Sequence, residues 1–139
     1  MQIYTDGSCV KKVGGYGYLY IQNGEIVEKQ KGKVGDNTTN QVSELYAIYK
    51  ALEFLENKDN IDLYTDSKYA IGCCTEWWPN WIKNGWKNSK KQDVANKELI
   101  QKILKLLETK KVKFHHVFGH TGNIYNEMCD KLANEGRLM

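Results

Sequence analysis

Two short apolar runs end in the same three letters, Ile3-Tyr4-Thr5-Asp6 and Leu63-Tyr64-Thr65-Asp66. Each reads as a strand that stops at an acid. Two further acids stand in helical patterns: Glu44 opens one and Asp130 lies inside another. Carboxylates at strand tips and on inward helix faces are costly to desolvate, so they need cations or donors to offset them. A divalent metal site accounts for all four at once.

Outward from Asp6, residues 2 to 6 form the first expected strand. Residues 16 to 22, rich in aromatic and branched letters, form the second. Asn23-Gly24 marks a tight hairpin into Ile26-Val27, so three antiparallel strands are expected. Gly14-Gly15 places a flexible loop between Lys11 and Gly17, close to Asp6. From Glu44 to Leu55 the apolar or small residues at 45, 48, 51, 52 and 55 fit a helical stripe that includes Glu44, with Asn40 or Ser43 as its cap. Strand 61 to 65 follows, then Ser67 as the cap of a short helix through Tyr69 and Ile71. Leu99, Ile100, Ile103, Leu104 and Leu107 mark another helix, Val112 to Phe118 a last strand, and Asn126 to Asn134 the closing helix. Strands joined through helices run parallel by right-handed crossovers. The expected fold is therefore α/β: a mixed five-stranded sheet, antiparallel first and parallel later, with helices on both faces. Strand-end acids in such sheets gather beyond the carboxyl ends of the parallel strands, where ligands bind.

The chain has 139 residues, 41% of them apolar, and one proline, which fits a single compact domain over residues 1 to 139. No apolar run is long enough to span a membrane, and the amino terminus lacks a secretory pattern. Cys9, Cys73, Cys74 and Cys129 form no CxxC pair, and adjacent cysteines make a poor disulfide, so a reducing, cytoplasmic setting is expected. Residues 77 to 113 hold ten lysines against three acids, a local charge of +7. The rest of the chain is then −4 within a formal net charge of +3. The molecule is polarised.

Parallel neighbours ending in Asp6 and Asp66 would bring those carboxylates together, with Glu44 entering from the crossover helix. Like charges this close need cations between them. Hard divalent ions such as Mg²⁺ prefer oxygen ligands, and phosphodiester cleavage is the matching chemistry. Taken singly, the acids also read as caps or turns: Asp6-Gly7-Ser8 as a turn, Asp66-Ser67 as a helix start.

The stretches Tyr4-Thr5-Asp6-Gly7-Ser8, Thr39-Asn40-Gln41 with Glu44, Tyr64-Thr65-Asp66-Ser67, Asn84-Gly85-Trp86-Lys87 and Gly119-His120-Thr121-Gly122 followed by Asn126-Glu127 and Asp130 resemble the type 1 ribonuclease H family. The match spans nearly the whole chain in order and spacing. It implies an endonuclease that cuts the RNA strand of an RNA/DNA hybrid with two Mg²⁺ ions, Mn²⁺ being a possible substitute, and leaves 3′-hydroxyl and 5′-phosphate ends. By that resemblance Asp6, Glu44, Asp66 and Asp130 are the metal ligands, Asp6 bridging the ions, and His120 assists turnover. Two cations ~3.5 to 4 Å apart clamp the attacking and leaving oxygens of an in-line displacement. A monomer without an organic cofactor or an amino-terminal hybrid-binding module is expected, and hence low processivity.

Trp77, Trp78, Trp81 and Trp86 lie among Lys83, Lys87, Lys90 and Lys91. Lysines release counterions from phosphates and aromatic rings pack on sugars or bases, as in a nucleic-acid groove. Core packing is the competing reading, favoured for Trp81 and Trp86. The resemblance makes this block a basic protrusion gripping the DNA strand and puts Tyr69 and Trp77 in its channel. It assigns Asn40 and Gln41 to the 2′-hydroxyls, and Thr39 and Asn96 to a DNA phosphate. Thr39 and Asn40 also read simply as helix caps, and Asn96 as the start of the next helix. The chain departs from the family pattern at Lys11, Lys12 and Asn37. Its single arginine, Arg137, leaves phosphate gripping to lysine point charges. A noncatalytic hybrid-binding domain and a DNA-cutting integrase-like nuclease are the competing functions; the complete acid set disfavours the first, and Thr39-Asn40-Gln41 with the Trp and Lys block the second.

Overall fold

The amino-terminal strands run further than their apolar letters suggest. In the computed structural model, which describes residues 1–55, 60–118 and 123–139, β1 (Gln2–Val10), β2 (Val13–Gln22) and β3 (Glu25–Gly35) form an antiparallel meander. Asn23-Gly24 turns β2 into β3 with φ of 53° and 79°, as these letters predict.

The connection from β1 to β2 corrects the expected glycine loop. Lys11 and Lys12 alone make the turn, with φ of 51° and 69°, and Gly14 and Gly15 are buried ladder residues opposite Cys9 and Ser8. A Cβ on Gly15 would lie 2.2 Å from the Arg137 backbone nitrogen and 2.3 Å from the Ala133 carbonyl oxygen. Glycine is there because a helix backbone passes over it, and it gives the segment no looseness.

Helix α1 (Asn40–Phe54) starts earlier than either expected cap, Asn40 or Ser43, allows. Thr39 caps it, its hydroxyl accepting from the Val42 amide at 3.2 Å, and Ser43 is buried inside it. Glu44 therefore sits one turn into the helix. Strand β4 (Ile61–Thr65) pairs parallel with β1. Ser67 caps α2 (Lys68–Gly72) by accepting from the Ala70 amide at 3.1 Å, as expected. A π-helical turn, Cys73–Trp77, leads into α3 (Trp78–Lys83), and α4 (Lys97–Leu107) follows. Strand β5 (Val112–His116) pairs parallel with β4 and stops two residues short of Phe118. Helix α5 (Ile124–Arg137), capped by Asn123, extends beyond the expected 126–134 at both ends.

The sheet order is β3-β2-β1-β4-β5. Alternation along the strands feeds two faces. Ile3, Tyr18, Tyr20 and Ile61 pack with Ala51 and Leu55 of α1, whereas Tyr4, Leu19 and Ile21 pack with Cys129 and, at its margin, Met128 and Leu132 of α5. Leu63 joins α1, α2 and α4 through Leu45, Ile48, Ala70, Ile100 and Ile103. Helices thus cover both faces. Cys129 is a fully buried packing thiol that donates to the Tyr4 carbonyl at 3.2 Å, and burial pushes its pKa up, away from the reactive thiolate. Among the described residues no helix is long and apolar enough to cross a membrane.

Gly15→Ala forces a methyl group into the α5 backbone. It should destabilise the fold by about 2–3 kcal/mol, read as a lower urea midpoint at unchanged slope. An unaltered midpoint would show that α5 does not lie against β2 at this point.

Candidate functional site

Register brings the two acids together. Tyr4 pairs with Tyr64 across β1 and β4, so Asp6 and Asp66, each two residues further on, lie side by side; Asp66 directly follows β4, but Asp6 is not the strand end expected, because β1 runs on to Val10 with Asp6 paired opposite Gly17. Glu44 arrives from α1, which comes so close to β1 that a Cβ on Gly7 would lie 2.3 Å from the Ser43 carbonyl carbon and 2.4 Å from the Glu44 nitrogen. The Gly7 amide donates both to Asp6 Oδ1, at 2.9 Å, and to Glu44 Oε1. One ligand oxygen from each of Asp6, Glu44 and Asp66 lies within 4.8 Å of the others.

Asp130, from α5, lines the same open cleft of ≈ 440 Å³ but stands outside that three-way group. Asn40, Gln41, Ser8, Cys9 and Ser67 complete the lining. Of these, Cys9 was not legible as a cleft residue, because nothing in its neighbours marks where β1 ends. Ser8 carries a signal: two residues beyond Asp6 on one strand, it faces the same way.

Burial sets the electrostatics. Asp6 is 4% exposed, and its carboxyl pKa is pushed up to about 7, chiefly by desolvation. A hydrogen bond with Glu44 opposes the rise, while the charges of Asp66 and Asp130 add to it. Glu44 is raised well above the usual carboxylate range by desolvation first and then by Asp6 and Asp66. The three-way group offers only carboxylate oxygens, without sulfur or imidazole, and its charges repel. Those donors fit a hard divalent cation.

The residues expected on the nucleic acid fall into three places. Asn40 and Gln41 lie exposed at the rim of the acid cleft, beside the Thr39 cap. Asn96 lines a separate cleft of ≈ 470 Å³ with Val42, Asp93, Lys97 and Lys102. It precedes α4 in a left-handed conformation, φ 62°, yet its side chain does not cap the helix; the amide donates to the Tyr69 hydroxyl at 3.0 Å. Trp77 is exposed, its ring lying over Gly72 and 6.1 Å from the Tyr69 ring centroid. Trp81 and Trp86 pack against the α1, α2 and α4 core, as the packing reading has it. Lys83 ends α3, and Lys87 pairs with Asp93 at 2.6 Å. His120 lies outside the described residues.

A carboxyl pKa raised on folding means that the folded state binds the proton more tightly. Its stabilising effect is complete below the ordinary pKa of 3.8 and is lost as pH rises through about 7. In chelator the protein should therefore gain melting temperature between pH 8 and pH 5.5. Mg²⁺ should raise it more at pH 8 than at pH 5.5, and Asp6→Asn should flatten the pH dependence. Equal magnesium shifts at both pH values would refute the cluster's charge repulsion.

The RNase H family profile matches residues 1–137. Ribonuclease H of Clostridium botulinum is 44% identical over 139 residues, covering 96% of this chain and 92% of that one. Ribonuclease H of Orientia tsutsugamushi is 43% identical over 138 residues, covering 99% and 82%. Among solved structures, a type 1 RNase H with the type 2 active-site motif superposes with a TM-score of 0.85 at 26% identity, covering 98% of this chain and 71% of that one. The foamy viral protease-reverse transcriptase, solved in complex with RNA/DNA hybrid, gives 0.82 at 25%, covering 98% of this chain and 20% of that one. Family profile, relatives and sheet order agree over nearly the whole length, and the chain belongs to the RNase H family.

Proposed function

We propose that this chain is an endonuclease that hydrolyses the RNA strand of RNA/DNA hybrids, leaving 3′-hydroxyl and 5′-phosphate ends. The convergence of Asp6, Glu44 and Asp66 on one point carries this reading, together with the family membership. In it, Asp6, Glu44, Asp66 and Asp130 hold two Mg²⁺ ions, for which Mn²⁺ substitutes. When bound, such ions supply Lewis-acid activation of water and charge stabilisation at the leaving oxygen.

The chain's own residues do the rest. The Gly7 amide fixes the carboxylates of Asp6 and Glu44 in one orientation before any ligand arrives, so little reorganisation is left for the reaction step. Asn40 and Gln41 stand at the cleft rim with amides that both donate and accept, the capacity needed to read a 2′-hydroxyl. Thr39 and Asn96 take a DNA phosphate, and Tyr69 and Trp77 pack along the DNA strand. Lys83 and Lys87 neutralise its backbone. His120 protonates the leaving oxygen or speeds product departure. Residues 1–139 act as one catalytic domain, as a monomer in a reducing cytoplasm and without an organic cofactor.

Incubation with labelled hybrid, duplex RNA and duplex DNA should give magnesium-dependent cutting of the hybrid RNA strand alone. Cutting of duplex DNA, or none at all, would overturn the assignment. Asp66→Asn should lower the cleavage rate by at least about a thousandfold while hybrid binding by filter retention persists. Loss of binding along with activity would count against a metal role. Because phosphate contacts fall to lysines, one of them already paired with Asp93, hybrid affinity should drop steeply between 50 and 200 mM salt, roughly tenfold or more. A flat salt response would exclude lysine-dominated gripping.

A further inference from the structure

Two rungs link β1 to α5. The first is Asp6 and Asp130, two carboxyl groups that line the same cleft. Ser8 and Asn134 form the second. Ser8 follows Asp6 by two residues on a strand and Asn134 follows Asp130 by four on a helix, so each pair shares a face. The Ser8 hydroxyl donates to Asn134 Oδ1 at 2.6 Å. The Asn134 amide nitrogen donates to the Asp130 carbonyl at 3.1 Å, and Arg137 Nε donates to Asn134 Oδ1 at 3.3 Å. Behind the rungs, Ser8 and Asp6 pair with Gly15 and Gly17 of β2, two positions where α5 lies directly on the sheet. A Cβ on Gly17 would meet Ala133 N at 2.9 Å and Cys129 O at 3.0 Å.

We propose that Asn134 is a positioning residue for the metal site: through Ser8 on one side and the Asp130 backbone on the other, it holds Asp130 at a fixed spacing from Asp6. With α5 already packed on the sheet, this second rung ties the turn of α5 that follows Asp130 to the strand that carries Asp6. Cation binding then finds the fourth carboxylate already in place. The inference rests on the metal reading of the acid cluster.

Thermal melts of the nucleic-acid-free protein over a Mg²⁺ titration at pH 8 test it. Asn134→Ala and Ser8→Ala should each raise the magnesium concentration for half-maximal stabilisation about tenfold, the size expected for groups that orient a metal ligand. Ser8→Thr, which keeps the hydroxyl, should titrate like the unaltered protein, and the double alanine variant should be no worse than either single one. Should Asn134→Ala fail to fold, Ser8→Ala and Ser8→Thr carry the comparison. Variants whose melting temperatures fall while their titration midpoints stay put would overturn the proposal in favour of simple packing. An unaltered protein without any magnesium shift would overturn the metal reading itself and this inference with it.

Discussion

Repulsion among carboxylates, Asp6 within β1 and Asp66 just past β4 foremost, is the constraint around which this fold is arranged. A buried acid such as Asp6 is tolerated only if it is protonated, hydrogen-bonded or matched by a cation. The surrounding backbone supplies part of the remedy. Gly7 lets α1 come close enough for Glu44 to reach the cluster and lends it an amide. On the opposite face, Gly15 and Gly17 let α5 lie on the sheet with Asp130 at the same cleft. Three side-chain-free positions thus allow two helices to carry charge toward a third charge. What hydrogen bonding leaves uncompensated is the part that a cation completes, so the folded state is held short of its own electrostatic optimum and ready to bind.

The parts of the fold legible in the letters are those decided locally. Asn23-Gly24 needs only its own positive φ values to make a hairpin, and the Ser67 cap needs only an amide three residues on. Asp6 and Asp66 were legible as candidate ligand positions because parallel pairing puts them side by side whatever packs elsewhere, although β1 does not end at Asp6 and runs on to Val10. Gly14-Gly15 shows the opposite case. A glycine pair beside two lysines reads as a loop, yet its meaning is set by distant neighbours: a Cβ on Gly14 would meet the Ser43 and Thr38 side chains, and one on Gly15 the backbone of α5, more than a hundred residues away. The α1 cap was ambiguous because Thr39, Asn40 and Ser43 can all accept an amide, and only the helix register selects among them.

Site residues divide along the same line. Asp6, Glu44 and Asp66 announce themselves by charge in an apolar context. Ser8 and Asn134 do not, since a serine and an asparagine on partly buried faces look ordinary until their 2.6 Å contact across 126 residues is known. Asn96 was legible as a polar residue before a helix but not in its actual use: it turns from the helix amides to the Tyr69 hydroxyl. Polar side chains have several satisfactory partners, and tertiary structure chooses one.

The same choice separates the tryptophans. Trp77 stands at the end of the π-helical turn, where the widened helix lets its ring rest on Gly72 and contact both Tyr69 and Trp81, at 6.1 and 6.0 Å between centroids. Trp81 meets Trp86 at 5.8 Å, and both pack on the core. The rings therefore form a continuous row from Tyr69 to Trp86, which lies between Lys83 and Lys87 of the basic segment. Its inner members anchor Lys87, further fixed by Asp93, and its outer member presents an indole face to solvent. Aromatic packing behind the lysine stems explains how a chain with a single arginine can still offer its positive charge in a defined place. The indoles give the surface its shape and the ammonium groups give it its charge.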